Sequence, residues 1–314
     1  MTGFPFYDRD AVERLLDYPG CIGAMRAAMC QFSAERREQP LRQIIEPAPA
    51  KLFALMPGML SIDEGFGAKV ITVFPDLARD GRAGHRGLVI LFDPESGDVA
   101  AMADAGAITE IRTACTTAVA TDALARADAR TLGVFGCGAQ AATHLRAIAL
   151  VRPLEDVRIW GRDEGRAEAF AQKAEAETGL PIRAVADPRE AAEADIVTTV
   201  TSSAQPVLFR DWLQPGAHVN LVGSSYAGPM EVDTALVAAT RFIVDSRRSA
   251  LVAAAEFIAA RSEGLIDDGH IVAELGEVLS GEAVGRIASG QLTTFKSLGH
   301  IVQDLAALRY IHAA

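Results

Sequence analysis

The chain has 314 residues, half of them hydrophobic and 23% charged, which suits a globular protein of two ordinary domains and excludes a disordered or fibrous one. Its 30 basic and 41 acidic residues leave a formal charge of −11 with no basic block, which argues against a nucleic-acid binder. No apolar run reaches the ~20 residues of a membrane helix, and Met1-Thr2-Gly3-Phe4-Pro5 lacks the basic-then-apolar layout of a signal peptide. Cys21, Cys30, Cys115 and Cys137 show no C-x-x-C or metal-ligand spacing, so the expectation is a cytoplasmic protein with reduced thiols and no metal.

In chain order, residues 8–38 read as helical, with Val12, Leu15 and Leu16 on one face and Ile22, Met25 and Met29 on another. Residues 41–104 carry short apolar runs at 43–45, 52–56, 68–74, 88–92 and 99–102. Turn signals such as Pro57-Gly58 and Asp80-Gly81 separate them, which predicts a meander of mostly antiparallel strands. A helix is predicted from an N-cap at Thr109 to about Ala127. Strands at 131–135, 157–160, 182–185, 196–200, 218–222 and 242–244 then alternate with helices. That pattern specifies an α/β doubly wound parallel sheet. There is no internal repeat or low-complexity segment.

The first strand of that series runs into Gly136-Cys137-Gly138-Ala139-Gln140-Ala141, a G-x-G-x-x-A fingerprint. Gly136 suits the tight turn, Gly138 the close approach of a pyrophosphate, and Ala141 the packing of helix on strand, with the helix N-terminus offering N–H groups to phosphate. The following strand ends in Trp160-Gly161-Arg162-Asp163. Enzymes that use NAD place a carboxylate there for the ribose hydroxyls. Gly161 removes it and Arg162 can pair with a 2′-phosphate, which favours NADPH over NADH as cofactor. The competing reading has Arg162 solvated and Asp163 serving the ribose one residue late.

Lys69 lies in an otherwise apolar strand, and because strand faces alternate the pattern alone permits either face. Arg42 and Arg112 suit a carboxylate clamp, since a guanidinium offers two parallel hydrogen bonds. With its helix starting after Thr109, Arg112 falls in the first turn, where the dipole helps hold an anion. A lysine buried beside two arginines has a depressed pKa and exchanges protons near neutral pH. The six histidines, His85, His144, His218, His270, His300 and His312, show no metal spacing. His85 is the one with a possible accessory-acid role.

Several segments together resemble the ornithine cyclodeaminase/μ-crystallin family: Gly67-Ala68-Lys69-Val70, Ile111-Arg112-Thr113-Ala114, Gly136 to Ala141, Thr201-Ser202-Ser203, and Thr294-Phe295-Lys296-Ser297-Leu298-Gly299. The Trp160-Gly161-Arg162 and Phe295 to Gly299 segments look most like its μ-crystallin side. The resemblance implies a Rossmann domain over 123–292. It also implies a discontinuous α+β substrate and dimerisation domain over 1–122, completed by a C-terminal helix over 293–314, and a homodimer. The implied substrate residues are Arg42, Lys69, Arg112 and Gly299, with Lys69 catalytic. The implied cofactor residues are Arg112, Thr113, Gly136, Gly138, Ala139, Gln140, Gly161, Arg162, Thr201, Ser202, Ser203, Gly223, Ser224 and Leu298.

Two departures matter. Cyclodeaminases of the family carry an aspartate in a Gly-Ala-Asp-like segment after the fifth Rossmann strand, and this chain reads Gly223-Ser224-Ser225-Tyr226. A serine cannot supply a carboxylate's charge to an ammonium, which counts against a diamino-acid substrate. A Thr-His-Gln-Gly-like segment reads Gly84-His85-Arg86-Gly87, losing a threonine contact, while Arg82 and Arg86 add charge to that loop. The expected function is NAD(P)H-dependent reduction of an α-imino acid, or amino-acid dehydrogenation. The alternatives are an ornithine or lysine cyclodeaminase that recycles bound NAD, and an NADPH-binding protein without catalysis.

Overall fold

The computed structural model describes residues 4–36, 38–49, 51–74 and 85–314. The chain forms two compact units: Met1–Thr116 with His300–Ala314, and Thr117–Gly299. Among the described residues no helix is long and apolar enough to cross a membrane.

The first unit opens with β1 (Phe6–Tyr7), α1 (Arg9–Leu15) and α2 (Tyr18–Glu35). The helical stretch expected over 8–38 is present as two helices. Asp17 accepts from the Gly20 N–H at 2.8 Å, and Pro19, which has no N–H to continue a helix, sits at the start of the second one. Then come β2 (Gln43–Ala48), β3 (Lys51–Ser61), β4 (Gly65–Val73), β5 (His85–Phe92) and β6 (Val99–Asp104). The sheet order is β1-β6-β5-β4-β3-β2, an antiparallel meander with β1 added parallel to β6. Helix α3 (Ala105–Leu124) follows directly. Its cap is Asp104, whose Oδ1 accepts from Ala107 N at 2.7 Å. The expected cap, Thr109, instead turns its hydroxyl back to Ala105 O at 2.5 Å. Arg112 is thus two turns into the helix, beyond the reach of the first-turn dipole. The C-terminal helix, Ile301–Ala313, is buried along most of its length, with Ile301, Val302, Leu305, Leu308 and Ile311 in the core.

In the second unit β7 (Thr131–Phe135), α4 (Ala139–Ala149), β8 (Asp156–Trp160), α5 (Glu164–Thr178), β9 (Ile182–Ala184), α6 (Pro188–Ala192) and β10 (Ile196–Thr199) form one half. The other half holds β11 (His218–Leu221), α7 (Thr234–Ala239), β12 (Arg241–Val244), α8 (Arg247–Ala253), α9 (Ala255–Ser262), β13 (Ile271–Glu274), α10 (Leu275–Ser280) and β14 (Thr293–Lys296). The sheet is parallel throughout, ordered β13-β12-β14-β11-β10-β7-β8-β9. Residues 293–296 were expected in the C-terminal helix. They are instead a strand between β11 and β12, in keeping with two threonines and a phenylalanine, which favour extended backbone. Leu132, Val134 and Ile159 pack with Ala141, Leu145 and Ile148 of α4 in one core. Val197, Val219, Leu221 and Phe242 pack with Leu236 and Phe257 in another. The strand order reverses between β7 and β10, so their carboxyl ends open the crevice where such sheets bind ligands.

Candidate functional site

In the second unit the turn after β7 is built for close approach. Gly136 has φ +121°, and a Cβ there would stand 2.8 Å from Val200 O. Its N–H donates to Trp160 O at 2.8 Å. Gly138 is the N-cap of α4 and supplies no side-chain cap. Around the place its Cβ would take there is no atom within 4 Å, an open cradle in front of the first turn, where Ala139 is exposed and Gln140 half-buried. Ala141 is fully buried against the sheet. These residues fit a dinucleotide: a helix start with free N–H groups, a glycine that leaves space, and a small residue where helix meets strand.

After β8, Gly161 lies where a Cβ would stand 3.3 Å from Cys137 Sγ. Arg162 is exposed. Asp163 caps α5, its Oδ1 accepting from Arg166 N at 3.0 Å. That capping bond weakens the alternative in which Asp163 receives a ribose.

The expected cofactor loops after β10, β11 and β14 are held from behind by charges that sequence reasoning missed. Glu231 is fully buried. Its Oε1 accepts from Thr201 N and Oγ1 at 2.7 and 2.8 Å, and its Oε2 from Gly223 N and Thr199 Oγ1 at 2.7 Å each. Ser203 N reaches Thr201 Oγ1 at 3.1 Å, while Ser202 is exposed. Ser224 is buried, and its hydroxyl donates to Glu256 Oε1 at 2.5 Å. Lys296 Nζ donates to Ser224 O and Oγ and lies 3.2 Å from Glu256 Oε2. Burial pushes both carboxyls up. For Glu256 the Lys296 ammonium and the Ser224 hydroxyl more than offset it, whereas Glu231 stays above the usual range. Asp245 Oδ2 accepts from Leu298 N and Gly299 N at 2.8 and 2.7 Å.

In the first unit β4 alternates: Gly67, Lys69 and Ile71 are buried, while Phe66, Ala68, Val70 and Thr72 are more open. Lys69 faces inward and is 2% exposed. Its Nζ lies 3.0 Å from Asp304 Oδ1 on the C-terminal helix. Arg112 Nε donates to the same oxygen at 2.8 Å, and its Nη1 donates to Gln303 Oε1 at 2.6 Å. Glu110, two residues before Arg112, is bound by Arg9 at 3.0 and 3.1 Å. Asp304 Oδ2 is buried with no hydrogen-bond partner among the described residues. Burial drives the Lys69 amine down to about 7; Asp304 pulls it up, and Arg112 and Arg42 push it down. Asp304 stays ionised below the usual carboxylate range, because Arg112 and Lys69 outweigh its burial.

The structure thus brings Arg42, Lys69 and Arg112 together in the first unit, with Thr113 buried beside Arg112 on α3. His300 belongs to this cluster. Burial lowers its imidazole to about 4, with Asp304 raising it and Arg112 and Arg42 lowering it, and its ring packs against Phe32 at a 40° tilt with centroids 4.3 Å apart. Gly299 and the remaining expected cofactor residues lie in the second unit. Arg82 lies outside the described residues, as does the side chain of His85. The backbone carbonyl of Arg86 accepts from Thr72 Oγ1. Among the described residues no group of three His, Cys, Asp or Glu could hold a metal.

Asp304 and Gln303 had a signal: a polar pair inside the apolar run Ile301-Val302-Gln303-Asp304-Leu305, with Asp304 at helical spacing from Ile301 and Leu308. Lys296 had one too, as a lysine ending a Thr-Thr-Phe strand. Glu231, Glu256 and Asp245 had none, because their partners are distant in sequence.

The model of the ornithine cyclodeaminase/mu-crystallin family matches residues 6–314. A Delta(1)-pyrroline-2-carboxylate reductase of Bacillus cereus is 36% identical over 302 residues, covering 95% of this chain and 93% of that protein. The structure of Thermococcus litoralis Delta(1)-pyrroline-2-carboxylate reductase in complex with NADH and L-proline superposes with a TM-score of 0.95 at 30% identity, covering 99% of this chain and 97% of that one. An archaeal alanine dehydrogenase dimer with bound NAD superposes with a TM-score of 0.92 at 27% identity, covering 99% and 95%. With its motifs in order and nearly its whole length matched, the chain belongs to the ornithine cyclodeaminase/mu-crystallin family.

Proposed function

We propose that this protein reduces a cyclic α-imino acid of the pyrroline-2-carboxylate class to the amino acid, with NADPH as reductant. The observation that carries the reading is the buried Lys69–Asp304–Arg112 cluster beside Arg42, a cationic site for a carboxylate with a proton-exchanging amine in it. The reductase relatives support the reaction type.

The first unit takes the substrate. Arg112 has Nε and Nη1 engaged, so the carboxylate meets Nη2 and the remaining hydrogen of Nη1, an end-on approach with Arg42 completing the clamp. Lys69 holds a proton at Nζ for the imine nitrogen, and an amine with a pKa of about 7 gives up that proton and regains it from solvent near neutral pH. The second unit takes the dinucleotide at Gly136, Gly138, Ala139 and Gln140, with the loops at Thr201, Gly223 and Leu298 lining the crevice. When bound, the reduced nicotinamide supplies the hydride. The imine carbon gains that hydride as the nitrogen gains the proton, so one reductant and one proton are consumed per amine formed.

NADPH is favoured over NADH by Gly161, the exposed Arg162 and the capping duty of Asp163. Reduction is favoured over cyclodeamination because Ser224 and Ser225 stand where an ammonium would need a carboxylate, and the Ser224 hydroxyl is already bound to Glu256. We also propose a homodimer through the sheet of the first unit, which leaves Ile44, Ile45 and Phe66 exposed. The test is a panel of cyclic imines and of 2-oxo acids with amines, followed by loss of the near-ultraviolet absorbance of NADPH. Turnover with Delta(1)-pyrroline-2-carboxylate is expected. Ammonia release from ornithine or lysine without net NADPH loss would replace the reading with the lyase.

A further inference from the structure

We propose that Asp304 is the positioning residue of this site: one carboxylate oxygen holds both the Lys69 ammonium and the Arg112 guanidinium, which fixes the donor that faces the imine nitrogen and the edge that receives the carboxylate. The inference rests on the imine-reducing reading and adds to it a residue on a different element, the C-terminal helix.

The geometry is lopsided. Lys69 Nζ at 3.0 Å and Arg112 Nε at 2.8 Å both converge on Oδ1, while Oδ2 is buried with no partner among the described residues. A carboxylate serving only stability would gain more by spreading its two cations over both oxygens, since an orphaned buried acceptor carries a desolvation cost. Holding both on one oxygen turns Lys69 and Arg112 towards each other across a shared point, and Gln303 from the preceding residue fixes the guanidinium plane through Nη1. Asp304 is entirely buried and lies on a helix packed inside the core, so its position is set by the fold.

The charges facing Lys69 are Asp304 from the C-terminal helix, Arg112 from α3, and Arg42. His300, at the head of the C-terminal helix, is held neutral above about pH 4 and does not titrate near neutrality. Asp304 is thus the one anion acting on the lysine among these groups. Without it the amine keeps its proton less firmly. Because the protonated lysine is the donor, activity falls as pH rises through the lysine's titration, and removing Asp304 moves that fall to lower pH.

The test compares kcat, KM and pH profile for wild type, Asp304→Asn and Asp304→Glu with Delta(1)-pyrroline-2-carboxylate and NADPH, alongside thermal melting. Wild type is expected to lose activity above about pH 7. Asp304→Asn should move that limb down by roughly one pH unit or more and lower kcat/KM by about 10²-fold. Asp304→Glu, which keeps the charge but displaces it, should keep the limb near the wild-type pH with a raised KM. NADPH binding by fluorescence should be unchanged in both. An Asp304→Asn enzyme with reduced melting temperature but an unmoved limb overturns the proposal. If that variant does not fold, an Asp304→Glu enzyme equal to wild type in kcat and KM also overturns it. A wild type that reduces no imine sinks the underlying reading instead, so the two failures are distinct.

Discussion

Lys296 Nζ lies 2.6 Å from both the carbonyl and the hydroxyl oxygen of Ser224. The lysine closes strand β14 and the serine follows β11, so one buried ammonium ties two adjacent strand ends together while balancing Glu256 at 3.2 Å. Replacing Lys296 with methionine keeps the length and removes the charge, which leaves a fully buried carboxylate uncompensated. The expected loss is about 3–5 kcal/mol of unfolding free energy, read by denaturant titration. Adding Glu256→Gln to that variant should recover part of the loss. Equal stability of Lys296→Met and wild type would mean that the pair contributes nothing.

Gly136 and Gly138 should separate stability from cofactor binding. A side chain at Gly136 must adopt φ +121° against Val200 O, so Gly136→Ala is expected to cost about 1–3 kcal/mol. The Cβ of a residue at position 138 would meet no protein atom within 4 Å, so the melting temperature of Gly138→Val should stay close to wild type. Its side chain fills the cradle, so NADPH binding by fluorescence should weaken by at least about tenfold. Unaltered NADPH affinity in Gly138→Val would remove the cradle from the binding site.

Arg162→Ala tests cofactor choice. A charge-assisted bond to a 2′-phosphate is worth about 1.5–3 kcal/mol, so NADPH affinity should fall roughly 10- to 100-fold while NADH affinity stays constant. Equal losses for both dinucleotides would assign Arg162 to a shared part of the cofactor.

Acid should destabilise the protein before its carboxylates protonate. Burial holds His144 and His300 down to about 4 and His218 to about 3. Their unfolded counterparts titrate near 6.5, so between those values the unfolded chain binds more protons and stability falls as pH falls. From pH 7 to 5 each contributes a loss of about 2 kcal/mol. Chemical denaturation at pH 7 and pH 5 measures the difference, and identical midpoints would show that these rings do not stay neutral in the folded state.

Much of the frame of the proposed dinucleotide site was legible because its signals are local. A strand, a glycine turn and a helix start occupy Thr131 to Ala141 without a break. The face of Lys69 was not, since alternation fixes which residues share a side but not which side is covered. Thr109 misled because both it and Asp104 are good caps, and the choice depends on where β6 ends. The partners of the reactive groups were hardest to see. Asp304 meets residues 235 and 192 positions away, and Glu231 meets Thr201 from 30 away. Such pairs exist only once the tertiary fold has formed.

The position of β14 bears on how the molecule is made. A ribosome releases the chain from its amino end, yet residues 293–296 sit in the middle of the second unit's sheet, and residues 301–313 line the core of the first. Until the strand arrives, β11 and β12 have no neighbour to bridge them, and a chain interrupted before residue 293 leaves both facing edges open. Neither unit's core is complete until residues 293–313 have emerged. Through that interval the open parallel edges of β11 and β12 are exposed to pairing with other chains.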